Sequence, residues 1–131
     1  MPHIIIECSA NVAEVTDLDA LAHTVHTTAI ATGVAPMDAL RTRVIVPAHH
    51  VIADQRPENK YIAIVARLAA GRTAADRDTL LDALVACVIS QLDGGERDGM
   101  DDVALSVEYQ EIDPDSRRNV NHLRARLDAG R

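Results

Sequence analysis

The same order of predicted elements, strand then helix then strand, occurs twice along this chain of 131 residues. An apolar run at 3–8 precedes a segment with apolar residues at helical spacing, 17–33, and then a β-branched run at 41–46. The second copy begins about sixty residues after the first, with a predicted strand at 61–68. This repeat predicts one α+β domain with the element order β-α-β-β-α-β.

The second helix of the repeat has a defined start signal. Thr73 and Asp76 form a variant of the capping box, in which side chains and backbone N–H groups at the first turn bond reciprocally. Gly94 and Gly95 are expected to end this helix, and alternating residues at 103–110 predict the last strand. The predicted apolar face of the helix consists of Leu80, Leu81, Leu84, Val85, Val88, Ile89 and Leu92.

We expect a single domain over residues 1–131, with β-α-β units at about 2–47 and 60–111 and a tail at 112–131. Right-handed crossovers place both helices on one face of a four-stranded sheet. The first three strands carry apolar residues on both sides, so we expect oligomerisation to cover the opposite face. The tail has a predicted helix at 121–127 and is expected either to reach a neighbouring subunit or to be loosely ordered.

Pro2 lies directly before the first predicted strand, which gives it a possible chemical role. A small second residue such as proline permits removal of the initiator methionine, and Pro2 would then carry a free secondary amine. Burial and neighbouring cations disfavour a protonated amine, so its pKa would move toward that of a general base at neutral pH. A proline at this position is also common in proteins that make no use of it.

Arginine supplies almost all of the positive charge, since Lys60 is the single lysine in the sequence. Arg41 and Arg43 alternate on the second strand and share one face, whereas Arg72 follows the third strand. Guanidinium groups suit carboxylates, although strand-end arginines are more often solvated or paired at the surface. The repeat favours Arg72 as a carboxylate-binding residue. Its turn corresponds to the turn after the first strand, and we expect that turn to lie near Pro2.

Several other functions are disfavoured by the sequence. A formal net charge of -7 repels nucleic acid and anionic membranes, and no apolar run has the length of a membrane span. The histidines lack the spacing of a metal site. Cys8 and Cys87 lie in apolar segments, and with no signal peptide we expect a cytoplasmic protein with reduced thiols, a disulfide being the alternative.

Short matches in consistent order run through nearly the whole chain. They are MPHIIIECS at the start, Asn11, ATG at 31–33, Pro36, RTRV at 41–44, AGR at 70–72, and LSVEYQEIDP followed by N-x-N at 119–121. With these residues the sequence resembles the 5-carboxymethyl-2-hydroxymuconate Δ-isomerases of the tautomerase superfamily.

The resemblance implies a homotrimer of β-α-β-β-α-β subunits that acts without a cofactor or metal. It implies that Pro2 is the catalytic base, moving a proton from the hydroxyl of a dienol to a distant carbon of an unsaturated di- or tricarboxylate. It also implies that Arg41 and Arg72 bind substrate carboxylates. Another activity of the superfamily, as a 2-oxo acid tautomerase, dehalogenase or hydratase, and a trimeric binding protein without catalysis are the alternatives.

Overall fold

The fold consists of four strands and three α-helices in the part of the chain that the structure describes, residues 1–93 and 99–130. The structure is a computed structural model. In chain order the elements are β1 (His3–Cys8), α1 (Leu18–Ala31), β2 (Arg41–Ile45), β3 (Lys60–Ala69), α2 (Ala74–Leu92), β4 (Val103–Ile112) and α3 (His122–Asp128). Short 3₁₀ helices at Ala10–Glu14 and Pro114–Ser116, which the sequence analysis did not predict, complete the list.

The sheet has the strand order β2-β1-β3-β4 and joins the two halves of the repeat at its centre. Each half is a parallel pair, β1 with β2 and β3 with β4, as a β-α-β unit requires. The central strands β1 and β3 run antiparallel, with His3 opposite Arg67 and Cys8 opposite Ile62. The predicted β-α-β-β-α-β architecture is therefore confirmed.

Side-chain caps fix the starts of both long helices. The carboxylate of Asp17 accepts hydrogen bonds from the backbone N–H groups of Asp19 and Ala20 at the start of α1. At the start of α2, the Thr73 hydroxyl accepts from the Asp76 N–H at 3.1 Å, and the Asp76 carboxylate accepts from the Thr73 N–H at 3.3 Å. The capping box predicted from the sequence is thus present.

The core lies between the two long helices and one face of the sheet. Along β1 and β3 every second residue is buried, which matches the two-residue period of a strand. The helices add small and aliphatic side chains to the same cluster, so the core forms without Phe or Trp. Its fully buried larger side chains include Ile4, Ile6, Val25, Leu21, Ile62, Ile64, Leu68, Leu80, Leu84 and Val88.

One prediction about burial is wrong and another is confirmed. On α2, Val85 and Ile89 are 36% and 40% exposed, because the buried positions follow a four-residue spacing along one narrow stripe. On β1, the alternate residues His3 and Ile5 are only half-buried and Glu7 is exposed, so the second face of this strand lacks full cover within the chain, as expected. The expected helix end at Gly94 and Gly95 lies outside the described residues.

The C-terminal tail folds back on the rest of the chain. Its helix α3 covers nearly the residues predicted, and Asn121 caps it by accepting hydrogen bonds from the N–H groups of Leu123 and Arg124. The tail is consequently a structured element that can contribute to a site in its own chain.

Within the described residues, no helix is both long and apolar enough to cross a membrane.

Candidate active site

A cavity of about 230 Å³ opens at the start of β1, where Pro2 is buried in its wall. Four segments of chain meet there: the amino terminus, the turn that precedes β2, the turn that follows β3, and the C-terminal tail. The cavity is lined by Met1, Pro2, Pro36, Ala39, Ala69, Arg72, Arg117, Asn119, Asn121 and Arg124.

The strand register explains why Pro2 and Arg72 meet. Because β1 and β3 are antiparallel and His3 stands opposite Arg67, the end of β3 lies beside the start of β1. The turn at Gly71, whose φ of +114° suits glycine, then carries Arg72 to the cavity. The turn after β1, which the repeat symmetry places near Pro2, lies instead at the opposite end of the strand, so that prediction is wrong.

Backbone carbonyls hold the Arg72 guanidinium in place. Its Nε donates to the Val34 carbonyl oxygen at 3.0 Å, and its Nη1 donates to the Ala69 carbonyl oxygen at 3.1 Å. Val34 lies in the connection between α1 and β2, so the side chain of Arg72 spans from one half of the repeat to the other. The remaining N–H groups of this planar fork are oriented by these two bonds.

Arg41 stands beside the cavity without lining it. Its backbone N–H donates to the Pro2 carbonyl oxygen at 3.2 Å, and its Nη1 donates to the Ala39 carbonyl oxygen at 2.7 Å. The Arg41 side chain instead lines an open groove between α1 and β2, together with His23 and His26. The structure thus brings Arg72 together with Pro2 at the cavity, and keeps Arg41 within electrostatic range.

The tail contributes four polar residues that the sequence analysis did not assign to the site: Arg117, Asn119, Asn121 and Arg124. The Asn121 side-chain amide donates to the Asp38 carbonyl oxygen at 2.9 Å, and Arg124 Nε lies 2.6 Å from Oδ2 of Asp38. These bonds hold α3 against the turn before β2. The N-x-N sequence and the arginines of the tail were the available signals, but they do not encode where the tail folds.

The cavity is cationic in a chain whose formal net charge is -7. Three arginines line it, and none of its lining residues in the described part of the chain is acidic. Burial lowers the pKa of the amino group of the chain, and the charges of Arg117, Arg41, Arg124 and Arg72 lower it further. The amine of the structure belongs to Met1, and removal of this residue would pass the role of terminal amine to Pro2.

The chemistry of this cavity suits an anion. Guanidinium and side-chain amide groups offer N–H donors, which match carboxylate oxygens. A metal would need His, Cys, Asp or Glu ligands, and no group of three such residues is placed to hold one within 1–93 and 99–130. The arrangement can therefore bind a carboxylate compound next to a terminal amine.

Similar solved structures place this chain in the class of tautomerase-fold proteins. A 5-carboxymethyl-2-hydroxymuconate isomerase from Deinococcus radiodurans R1 aligns with a TM-score of 0.82 at 22% identity, covering 96% of this chain and 93% of that one. A fused 4-OT wild-type symmetric trimer aligns with a TM-score of 0.65 at 17% identity, covering 90% and 93%.

Sequence comparison defines the family within this class. The family model of 5-carboxymethyl-2-hydroxymuconate isomerase matches residues 2–127, and the chain belongs to this family. The 5-carboxymethyl-2-hydroxymuconate Delta-isomerase of Escherichia coli is 29% identical over 125 residues, which are 95% of this chain and 98% of the relative. The protein is accordingly an isomerase of the tautomerase superfamily.

Proposed function

We propose that this isomerase converts 5-carboxymethyl-2-hydroxymuconate, or a closely related dienol with two or three carboxylates, into its 2-oxo isomer. The observation that carries the proposal is the burial of Pro2 in the wall of a cavity lined by three arginines. An amine beside fixed guanidinium groups combines a base with a site for carboxylates. The name of the Escherichia coli relative supplies the particular substrate.

Pro2 acts as the general base once Met1 has been removed. Its nitrogen takes the proton from the hydroxyl on C2, and the electron pair of the O–H bond forms the C2=O double bond. The two C=C bonds of the diene shift to a single one between C3 and C4, and C5 takes the proton from the Pro2 ammonium. The amine is regenerated, no electrons are gained or lost, and no cofactor takes part.

The arginines bind the substrate and stabilise the intermediate. Arg72, held by the Val34 and Ala69 carbonyls, points a preorganised guanidinium at the cavity and binds a substrate carboxylate. Arg41 acts mainly through its charge, because its side chain does not line the cavity. Fixed positive charge near a developing dienolate lowers the barrier, and the same charge keeps the Pro2 amine neutral.

A homotrimer is the assembly that we propose for the active enzyme. One face of the sheet points away from the helices, and His3 and Ile5 on it are only half-buried. Other subunits can cover this surface. The similar fused 4-OT structure is a symmetric trimer. A molar mass in solution of three chains supports this assembly, whereas a monomer with full activity refutes it.

Turnover in deuterium oxide tests the reaction itself. We expect the processed enzyme, which has lost Met1, to consume 5-carboxymethyl-2-hydroxymuconate. Proton NMR should show one deuterium at C5 of the 2-oxo product. The Pro2→Ala variant should lose most of kcat, with residual activity from its primary amine, while Pro47→Ala, away from the cavity, should keep the wild-type rate. No turnover by the processed enzyme, or full turnover by Pro2→Ala, refutes the proposal.

A further inference from the structure

The turn that follows β4 positions the guanidinium of Arg117 at the cavity, which Arg72 and Arg124 also line. The Asp113 carboxylate accepts hydrogen bonds from the Asp115 N–H and the Ser116 hydroxyl, each at 2.9 Å, which fixes this turn. The turn lies beside the end of β3, because the Ala70 N–H donates to the Ile112 carbonyl oxygen at 3.2 Å. Arg117 follows in an extended conformation, with φ −133° and ψ 159°, and lines the cavity.

The other arginines of the cavity have partners in the protein. Arg72 donates through Nε and Nη1 to two backbone carbonyls, and Nε of Arg124 donates to the Asp38 carboxylate. Arg117 differs, because its Nη1 is buried and has no hydrogen-bond partner among the described residues. A buried charged donor without an acceptor is destabilising, and an anionic ligand in the cavity would supply an acceptor for this guanidinium.

We propose that the Arg117 guanidinium binds a carboxylate of the substrate in the cavity that Pro2 also lines. The identity of that substrate rests on the proposed function, whereas the preference for a carboxylate follows from the donor itself. A guanidinium can donate two parallel N–H bonds to a carboxylate, and no acidic side chain among the described residues lining the cavity competes for them. A substrate with three carboxylates also calls for more cationic contacts than Arg72 alone provides.

The location of Arg117 gives it a second effect on the reaction. Among the charges that lower the pKa of the terminal amine, that of Arg117 acts most strongly. Replacing Arg117 with alanine should therefore weaken substrate binding and move the acid limb of the pH profile upward. Replacing Arg117 with lysine keeps the charge but removes the planar fork. Arg117→Lys should therefore have the wild-type pH profile but recover only part of the substrate affinity that Arg117→Ala loses.

Binding of an inert tricarboxylate measures this site without catalysis. We would titrate propane-1,2,3-tricarboxylate into the full chain that retains Met1, by calorimetry, and compare Arg117→Ala and Arg117→Lys with the parent. Arg126→Ala is the matched control, since Arg126 is an exposed arginine of α3 that does not line the cavity. Unchanged thermal unfolding of each variant shows that the fold is kept.

We expect Arg117→Ala to weaken binding of the tricarboxylate by about tenfold or more, and Arg117→Lys to weaken it less. In the processed enzyme, KM for 5-carboxymethyl-2-hydroxymuconate should rise by a similar factor, while Arg126→Ala stays within about twofold of wild type in both assays. Selective loss of binding in Arg117→Ala, together with no isomerisation of this substrate by the enzyme that has lost Met1, supports the assignment of Arg117 and refutes the proposed function. Wild-type affinity in Arg117→Ala, or a parent chain that does not bind the probe, overturns the assignment even if the isomerase activity is present.

Discussion

The guanidinium Nε of Arg124 lies 2.6 Å from Oδ2 of Asp38 and ties α3 to the turn before β2. The Asn121 amide donates to the backbone carbonyl of the same residue, so two bonds converge on Asp38. Asp38 lines no part of the cavity, yet it anchors the segment that brings Arg117 and Asn119 to it. The cavity is thus completed by a tail whose attachment can be changed without touching Pro2.

Asp38→Asn tests this attachment. The Arg124 side chain is 55% exposed, so we expect the loss of the pair to change the free energy of unfolding very little. The local effect should be larger, with faster amide hydrogen exchange in α3 and a raised KM. Asp78→Asn, which removes the partner of Arg77 in an exposed pair on α2, is the control. Equal exchange of α3 in both variants would show that Asp38 does not hold the tail.

Arg72 and Arg41 should respond differently to replacement by alanine. Arg72 lines the cavity, and losing its charge-assisted hydrogen bonds to substrate should raise KM about tenfold to a hundredfold. Arg41 lies outside the cavity, so Arg41→Ala should change KM much less. Steady-state kinetics of both variants provide the measurement. A larger rise of KM in Arg41→Ala would mean that the substrate occupies the groove beside α1 instead.

The pH dependence of kcat/KM should show the depressed pKa of the terminal amine. Only the neutral amine accepts a proton, so the rate rises with pH through this pKa and levels off above it. Burial and the surrounding arginines lower the pKa of the Met1 amino group, and we expect them to lower the pKa of the Pro2 amine in the same direction once Met1 is removed. Burial and Arg43 likewise lower the pKa of the neighbouring His3 below 6.5, which places its titration at the acidic side of the profile.

The arginine variants give this pH profile an internal test. Arg41 lowers the pKa of the Met1 amine more than Arg72 does, although Arg72 alone of the two lines the cavity, and we expect the same order for the Pro2 amine. Arg41→Ala should therefore shift the acid limb upward by more than Arg72→Ala. A midpoint that stays in place in both variants would be inconsistent with a base located among these guanidiniums.

Packing on α2 can be tested by truncating two neighbouring residues. Leu84 is fully buried, and Leu84→Ala should lower the free energy of unfolding by about 2–5 kcal/mol. Val85 has 36% of its surface exposed, so Val85→Ala should lower the free energy of unfolding by less than about 1 kcal/mol. Urea unfolding measures both values. Similar losses would indicate that the face of α2 at Val85 is covered in the assembled protein.

Local signals were sufficient to predict most of the fold. The apolar run of β1 and the reciprocal bonds of Thr73 and Asp76 depend on residues close in sequence, and the structure has both. The width of the buried stripe on α2 was overestimated, because periodicity gives the direction of a helix face but not how much of it a neighbour covers.

The site was predicted only in part, for a physical reason. Pro2 and Arg72 lie at the ends of two strands, so the topology alone brings them together. The contributions of Arg117 and Asn121 depend on how a tail folds back after β4, with contacts such as Asn121 to Asp38 that span 83 residues. The side-chain direction of Arg41, set by its bond to the Ala39 carbonyl, is likewise invisible in the sequence.

Isomerisation by two forms of the same chain tests the role of Pro2 most directly. One form has lost Met1 and the other retains it, with intact mass confirming each, and both are assayed with 5-carboxymethyl-2-hydroxymuconate at the same pH. The retained methionine turns the proline nitrogen into an amide without basicity, so we predict that kcat falls by about 10²–10⁴-fold in that form. Equal kcat in the two forms would contradict a catalytic amine at Pro2.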